Sequence, residues 1–302
     1  MSLQYINNRL FGFYDAGNSN SYLFTTDGFG GNKLNAQTID TNSIIDTGTD
    51  GRLTQRDRKV CVVSDSLIYM YMNDLITRFT FNGTTLTKTD SRSDGLYYFF
   101  GPLCYQNSVL HVGYGADGLT AISDDLSTLI TSYVVTPYAI VTDGTYVYIV
   151  DGSAGKLIAL SYSAGVYTYL AEANTTATDA VYFSGNICVL KNDKSIDRYS
   201  FNGTSFTYIA TIPNLGTFLS FSASADYLVI SYVGKITYLY NKLFQQCDIL
   251  QHKKNAHYWV SAYAVKRRLY LDSYYSLDGI ITTYNTTMFN IDKNPSLNIS
   301  VI

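Results

Sequence analysis

Short runs in which apolar residues cluster or alternate with polar ones recur along the 302-residue chain. The clearest are SLIYMYM (66–72), SVLHVGY (108–114), TYVYIVD (145–151), NICVLK (186–191), YLVISY (227–232) and RLYLDSY (268–274). Each is short, rich in Val, Ile and Tyr, and bounded by Gly, Asn, Asp or Ser, which predicts strands rather than helices. With Ile68, Leu110, Val147, Ile187, Leu228 and Leu269 in register, the steps between runs are 42, 37, 40, 41 and 41 residues. RLFGFYD (9–15) fits one step upstream if about 17 residues are inserted, placed here at about 46–58, so the period predicts seven units of about 40 residues.

Each unit reads as four strands. Around residue 140 they are YAIVTD (138–143), TYVYIVD (145–151), KLIALSY (156–162) and VYTYLAE (166–172), separated by Asp143-Gly144, Gly152 to Gly155 and Ala164-Gly165. The stretches TRFTFNGTTLTK and RYSFNGTSFTYI repeat one another at a distance of 120 residues, from Arg78 to Arg198, which is three periods. Their shared FNGT is read as the turn between third and fourth strands, with Asn-Gly supplying the two positive φ angles of a type I′ turn.

Four antiparallel strands repeated every 40 residues resemble the β-propellers related to WD40, YVTN and quinoprotein-like repeats, over nearly the whole chain. The resemblance implies an all-β, seven-bladed propeller of four-stranded antiparallel blades in one domain, 1–302. It also implies closure of the ring by pairing LNISVI (297–302) with a strand of the first blade, which would remove two open edges. The chain lacks Trp-Asp repeat endings, has Gly-Gly once (Gly30-Gly31), lacks the sialidase Asp box, and carries only Trp259. It therefore matches no single propeller subclass.

Composition agrees with sheet. Glu172 is the only glutamate among 24 acidic residues, and there are 29 tyrosines. Asp favours turns and Glu helices, so this choice disfavours helix nearly everywhere. The net charge of −3 supplies no field for nucleic acid. The most apolar run (130–150) is broken by Pro137 and Asp143-Gly144, so no membrane insertion is expected. MSLQYINNRLFGF lacks the form of a secretory leader, which leads to the expectation of a soluble, cytoplasmic or virion-associated protein. Cys61, Cys104, Cys188 and Cys247 are far apart and read as buried free thiols.

Candidate chemistry follows from the sorting of loops in a propeller. Turns between second and third strands share an end with the connections between blades. Asp15, Asp74, Asp117, Asp151, Asp193, Asp272 and Asp278 are assigned to such turns, and a rim of carboxylates could hold a hard cation such as Ca²⁺. The competing reading is that Asp is a turn former there. No other cofactor is expected. The basic and aromatic segment Lys253, Lys254, His257, Tyr258 and Trp259 is a candidate binding edge in a loop, and Lys266 to Arg268 a turn on the other side. Tyr97-Tyr98 and Tyr274-Tyr275 are expected in or beside loops of the same end, where flat rings suit sugar or protein surfaces. Five Asn-x-Ser/Thr patterns start at Asn82, Asn174, Asn202, Asn285 and Asn298.

Catalytic signals are sparse. His111 lies in an apolar strand, His252 and His257 are assigned to one loop, metal-ligand spacings are absent, and GFGGNK (28–33) is not a phosphate loop. No catalytic residue is therefore assigned. The expectation is a non-catalytic interaction or assembly module with a protein partner or further copies of itself. Its low charge and Tyr, Thr, Ser and Asn richness resemble virion structural and host-recognition proteins. A glycan-binding propeller is the alternative, and a glycosidase or lyase the third reading.

Overall fold

The structure, a computed structural model, describes the backbone of residues 3–6, 9–15, 20–27, 37–38, 43–49, 59–64, 66–72, 75–81, 86–93, 102–224, 226–232, 236–252, 257–265, 268–277, 280–290 and 299–301, and side chains over most of 61–247. The described residues contain strands and one short 3-10 turn, Gly115–Asp117. The chain divides into two compact units, one of 1–56, 83–86 and 215–302, the other of 57–82 and 87–214.

In the first unit, β1 (Leu3–Ile6), β2 (Arg9–Asp15) and β3 (Asn20–Asp27) form an antiparallel meander. β4 (Gln37–Thr38) is skipped, and β5 (Ser43–Thr49) pairs with β3 instead. The second unit holds four sheets of four consecutive antiparallel strands. They are β6 (Lys59–Val62), β7 (Leu67–Met72), β8 (Leu75–Phe81) and β9 (Leu86–Ser93); β10 (Leu103–Gln106), β11 (Val109–Gly113), β12 (Leu119–Ser123) and β13 (Leu129–Tyr133); β14 (Pro137–Thr142), β15 (Tyr146–Asp151), β16 (Lys156–Ser163) and β17 (Val166–Asn174); and β18 (Ala177–Phe183), β19 (Asn186–Lys191), β20 (Ile196–Phe201) and β21 (Phe206–Ile212).

Returning to the first unit, β22 (Phe218–Ala223), β23 (Leu228–Tyr232), β24 (Ile236–Tyr240) and β25 (Gln246–His252) form a further meander. The last sheet is β26 (His257–Val265), β27 (Arg268–Leu277) and β28 (Ile280–Asn290), with β4 paired against β28 through Thr287↔Thr38 and Met288↔Gln37. β29 (Ile299–Val301) adds in parallel to β25, with Leu250 opposite Ile299.

The fold is an all-β propeller of four-stranded antiparallel blades, and the 40-residue period holds. All seven aligned runs are second strands of their sheets, and the repeat at 120 residues places Phe81 and Phe201 at the ends of β8 and β20. The expectation of seven blades is corrected, since the structure shows five. Five sheets are complete blades of consecutive strands; the remaining two depart from that plan, because β4 leaves the first meander to complete the sheet of β26 to β28. Ring closure by 297–302 on the first blade is also corrected, since β29 lies on the edge of β25. The presumed insertion at 46–58 overlaps β5, so residues 46–49 are strand and 50–58 lie outside the described residues.

Blades of the second unit pack face to face. Their second strands are buried on both sides, β11 along its whole length and β15 from Val147 onward. Cys61, Tyr69, Tyr71 and Ile76 meet Leu110, Val112 and Ile122 between the first two of these blades. Cys104, Val109, Leu119 and Ala121 meet Val147, Ile149, Ile158 and Leu160 between the next two, and Tyr148, Val150, Leu157 and Ala159 meet Ala180, Ile187, Val189 and Tyr199 after them. Alternation along a strand therefore serves two interfaces, one on each face.

Turn chemistry sets the registers. Asn107-Ser108, Ala164-Gly165 and Ser184-Gly185 have both central φ angles positive and close two-residue hairpins of the type I′ form. At FNGT only Gly203 is positive (φ 97°), so the expected type I′ turn is corrected to a four-residue loop between Phe201 and Phe206. Asn202 Oδ1 holds it by accepting hydrogen bonds from the N–H and hydroxyl groups of Thr204 and Ser205. Of the first copy of FNGT, at 81–84, only Phe81 is among the described residues.

Candidate interaction face

In the second unit the turns between second and third strands and the connections between blades do share one end, and hydrogen bonds tie them together. The N–H groups of Gly113, Gly152 and Asn192, at or just beyond the ends of their second strands, donate to the Pro102, Thr136 and Thr176 carbonyls just before the first strands. Thr175 N–H donates to Gly155 O, and the Asn214 amide to Asp193 O. The same bond in three successive blades makes a rigid frame of this end.

Three predicted rim carboxylates, Asp117, Asp151 and Asp193, sit at this end. Asp151 closes β15 and is buried; its Oδ1 accepts from Ser153 N–H, Ser153 Oγ and Ala154 N–H. Asp193 accepts from Ser195 N–H and Oγ, and the Ser195 hydroxyl, followed by its N–H, holds this carboxyl below the ordinary carboxylate range. Lys191 lies 3.8 Å from Asp193 and 3.4 Å from the buried Asp197. Turn-forming thus accounts for the geometry of Asp151 and Asp193. Among the described residues no three Asp, Glu, His or Cys side chains converge as a metal site would need.

What this end does display is apolar surface. Val134, in the connection from β13 to β14, is 95% exposed, and Gly118 fits so closely beneath it that a Cβ there would lie 3.7 Å from Val134 Cα and 2.5 Å from Tyr133 O. Two residues on, Thr136 Oγ1 accepts from Ser153 Oγ. Tyr138, 49% exposed, lies over Gly152, whose missing side chain leaves room for the ring. The 115–118 turn, Val134, Thr136 with Ser153, and Tyr138 over Gly152 form one continuous strip across two blades. Neither Val134 nor Tyr138 was singled out from sequence; the signal for Tyr138 was its place beside Pro137 at a strand start, opposite a Gly-rich turn.

The other predicted site residues distribute differently. Tyr97, Tyr98, Asp74, Lys253, Lys254, Asp278, Lys266 and Arg267 lie outside the described residues, and Arg268 opens β27. His257, Tyr258 and Trp259, expected in a loop, open β26 and pair with Tyr275, Tyr274 and Ser273. Tyr274 and Tyr275, also expected beside a loop, are strand residues, and Asp272 is mid-strand opposite Ser261 and Thr286. These assignments are corrected because β26 and β27 run nine and ten residues, longer than the blades whose spacing placed the loops. His252 likewise ends β25. Asp15 ends β2 opposite Ser21, at a second-strand end as expected.

No protein-family model matches the chain, and no curated protein matches it. Solved structures do. A functionally unknown protein from Desulfotomaculum acetoxidans aligns at TM-score 0.63 and 12% identity, over 93% of this chain and 99% of that one. BBS1N, from a crystal structure in complex with ARL6DN, aligns at TM-score 0.64 and 10% identity, over 97% and 93%. BamB from Moraxella catarrhalis aligns at TM-score 0.57 and 8% identity, over 96% and 94%. At such identities the likeness is one of fold.

Proposed function

We propose that the protein is a non-catalytic interaction module that binds a protein partner through the strip around Val134 and Tyr138. The observation that carries this reading is an apolar side chain left 95% exposed at the rigid, hydrogen-bonded end of the blades, beside a half-exposed tyrosine. Exposed aromatic and aliphatic anchors on a fixed frame lose little entropy on binding, and contacts of this kind dominate protein interfaces. The Asp151 and Asp193 carboxylates of the same end accept turn hydrogen bonds, which supports a non-catalytic reading. One fold neighbour was itself solved bound to a protein, BBS1N with ARL6DN, which favours the same kind of role. A virion or host-recognition setting would fit this reading, with the weakly charged, Tyr- and Asn-rich composition as its support.

A second reading, glycan binding, draws on the Tyr138 ring, a flat platform backed by Gly152. One experiment separates the two. A photo-crosslinking residue is placed at 134, at 138, or at the exposed control position 166, and the protein is irradiated in extract of its native source. Discrete protein adducts at 134 and 138 but not at 166 support the proposal. Equal capture at all three, or none, overturns it, and binding on a glycan array lost in Tyr138→Ala would move the assignment to sugar.

A further inference from the structure

We propose that Asn202 is a self-modifying residue, its side chain converted to aspartate and isoaspartate through attack by the Gly203 backbone nitrogen. This goes beyond the interaction reading and concerns the other end of the blades, where third and fourth strands are joined. Asn-Gly occurs twice in the chain, at Asn82-Gly83 and Asn202-Gly203, and the second pair lies among the described residues. The reaction needs an accessible asparagine, a following residue with no side chain to shield its nitrogen, and donors that stabilise charge developing on the amide oxygen.

The turn between β20 and β21 supplies all of these. Asn202 is exposed. Gly203 has no Cβ, and among the described residues no acceptor holds its N–H. Asn202 Oδ1 accepts from the N–H groups of Thr204 at 3.0 Å and Ser205 at 2.9 Å, and from their hydroxyls at 3.0 and 3.3 Å. Donors gathered in this way around an amide oxygen act as an oxyanion hole, because each bond strengthens as the oxygen gains negative charge.

Two other turns each lack part of this arrangement. Asn241, between β24 and β25, has a similarly capped oxygen, which accepts from the N–H groups of Leu243 and Gln245. It is followed by Lys242 rather than glycine, and its Nδ2, the nitrogen that would have to leave, donates to Gln245 Oε1. Asn107, in the hairpin between β10 and β11, is exposed but is followed by Ser108. Asn202 combines the exposure, the glycine and the capped oxygen.

The chemistry balances with water as the co-reactant, and nothing is oxidised or reduced. Hydroxide takes the Gly203 N–H proton, and the nitrogen bonds to Asn202 Cγ. The Cγ–Nδ2 bond breaks, and the nitrogen takes a proton from water and leaves as ammonia. A water molecule then opens the succinimide: addition at Cγ gives aspartate, and addition at the Asn202 backbone carbonyl gives isoaspartate. Isoaspartate lengthens the backbone of the turn by a methylene. Tyr146 of the preceding blade overlies this turn, its Oη 3.0 Å from where a Gly203 Cβ would lie and its ring edge-on to Phe201 with centroids 5.1 Å apart. The isoaspartyl form should therefore loosen a contact between two blades, whereas the aspartyl form keeps the acceptor oxygen.

The test is incubation of the purified full chain at neutral and mildly alkaline pH, followed by peptide mapping with mass spectrometry. Conversion at Asn202 should outpace that at Asn107 and Asn241, rise with pH, and give isoaspartate among its products. Thr204→Val combined with Ser205→Ala keeps the glycine and both N–H donors but removes the hydroxyls, and should slow conversion by about tenfold. Gly203→Ala should slow it as well, and the hydroxyl-free variant keeps the test decisive if Gly203→Ala disturbs the fold. Conversion at Asn202 no faster than at Asn107 or Asn241, or a rate that the hydroxyl-free variant leaves unchanged, overturns the proposal.

Discussion

Nδ1 of His111 on β11 lies 2.6 Å from the Oη of Tyr167 on β17, so one buried hydrogen bond links two successive blades through their packed faces. The His111 ring also meets Tyr162 edge-on, with centroids 5.0 Å apart, and shares its strand-pair position with Cys104. Its Nε2 has no hydrogen-bond partner. An imidazole so placed is a core residue.

Burial lowers the His111 pKa from 6.5 to about 4. Because the charged form is disfavoured in the folded state, this stability is fully present above the unfolded value near 6.5 and is lost as pH falls toward 4, where both states bind the proton. The loss should approach about 3 kcal/mol. Urea unfolding between pH 7 and 4 should show this slope in the parent and a flatter one in His111→Gln.

Two glycines make a contrasting pair. Gly118 has φ 100°, and a Cβ there would lie 2.5 Å from the Tyr133 carbonyl oxygen, which is backbone and cannot swing away. Gly118→Ala should cost about 1–3 kcal/mol in denaturant unfolding. At Gly152 the obstacle is the Tyr138 ring, which can rotate outward. Gly152→Ala should cost less stability while abolishing capture at position 138.

Asn202→Ala removes the acceptor of four turn hydrogen bonds and should lower stability by about 1 kcal/mol. Asn202→Asp, which keeps an acceptor oxygen, should recover most of it. Thermal melts of the three proteins give the comparison.

Cys61, Cys104 and Cys188 are buried free thiols, and burial pushes Cys61 and Cys188 up to about 12. Thiolate is the reactive form, so all three should resist a thiol reagent at pH 8 until the chain is unfolded. Cys247, half-buried, should react first. A time course of labelling read by mass spectrometry checks the order.

Turn chemistry and period were the legible parts of the candidate site. Asp151 and Asp193 could be placed at second-strand ends because Asp beside Ser or Gly stabilises a turn locally, and both side chains do so. Asp272, Tyr274 and Tyr275 were misplaced because the same residue types also sit inside strands, and nothing local marks where β27 ends. Val134 and Tyr138 were not legible: with 29 tyrosines and abundant valine, exposure depends on which residues the neighbouring turn covers.

The sequence by itself determined the all-β class, the 40-residue period, the second strand of every sheet and most hairpins of the second unit, since alternation and turn propensity act over a few residues. Only the tertiary structure decided that β4 completes a distant sheet, that β29 lies on β25, and which tyrosines face solvent. Those outcomes depend on pairing between segments far apart in the chain, and backbone hydrogen bonds at a sheet edge carry no residue code that would name the partner.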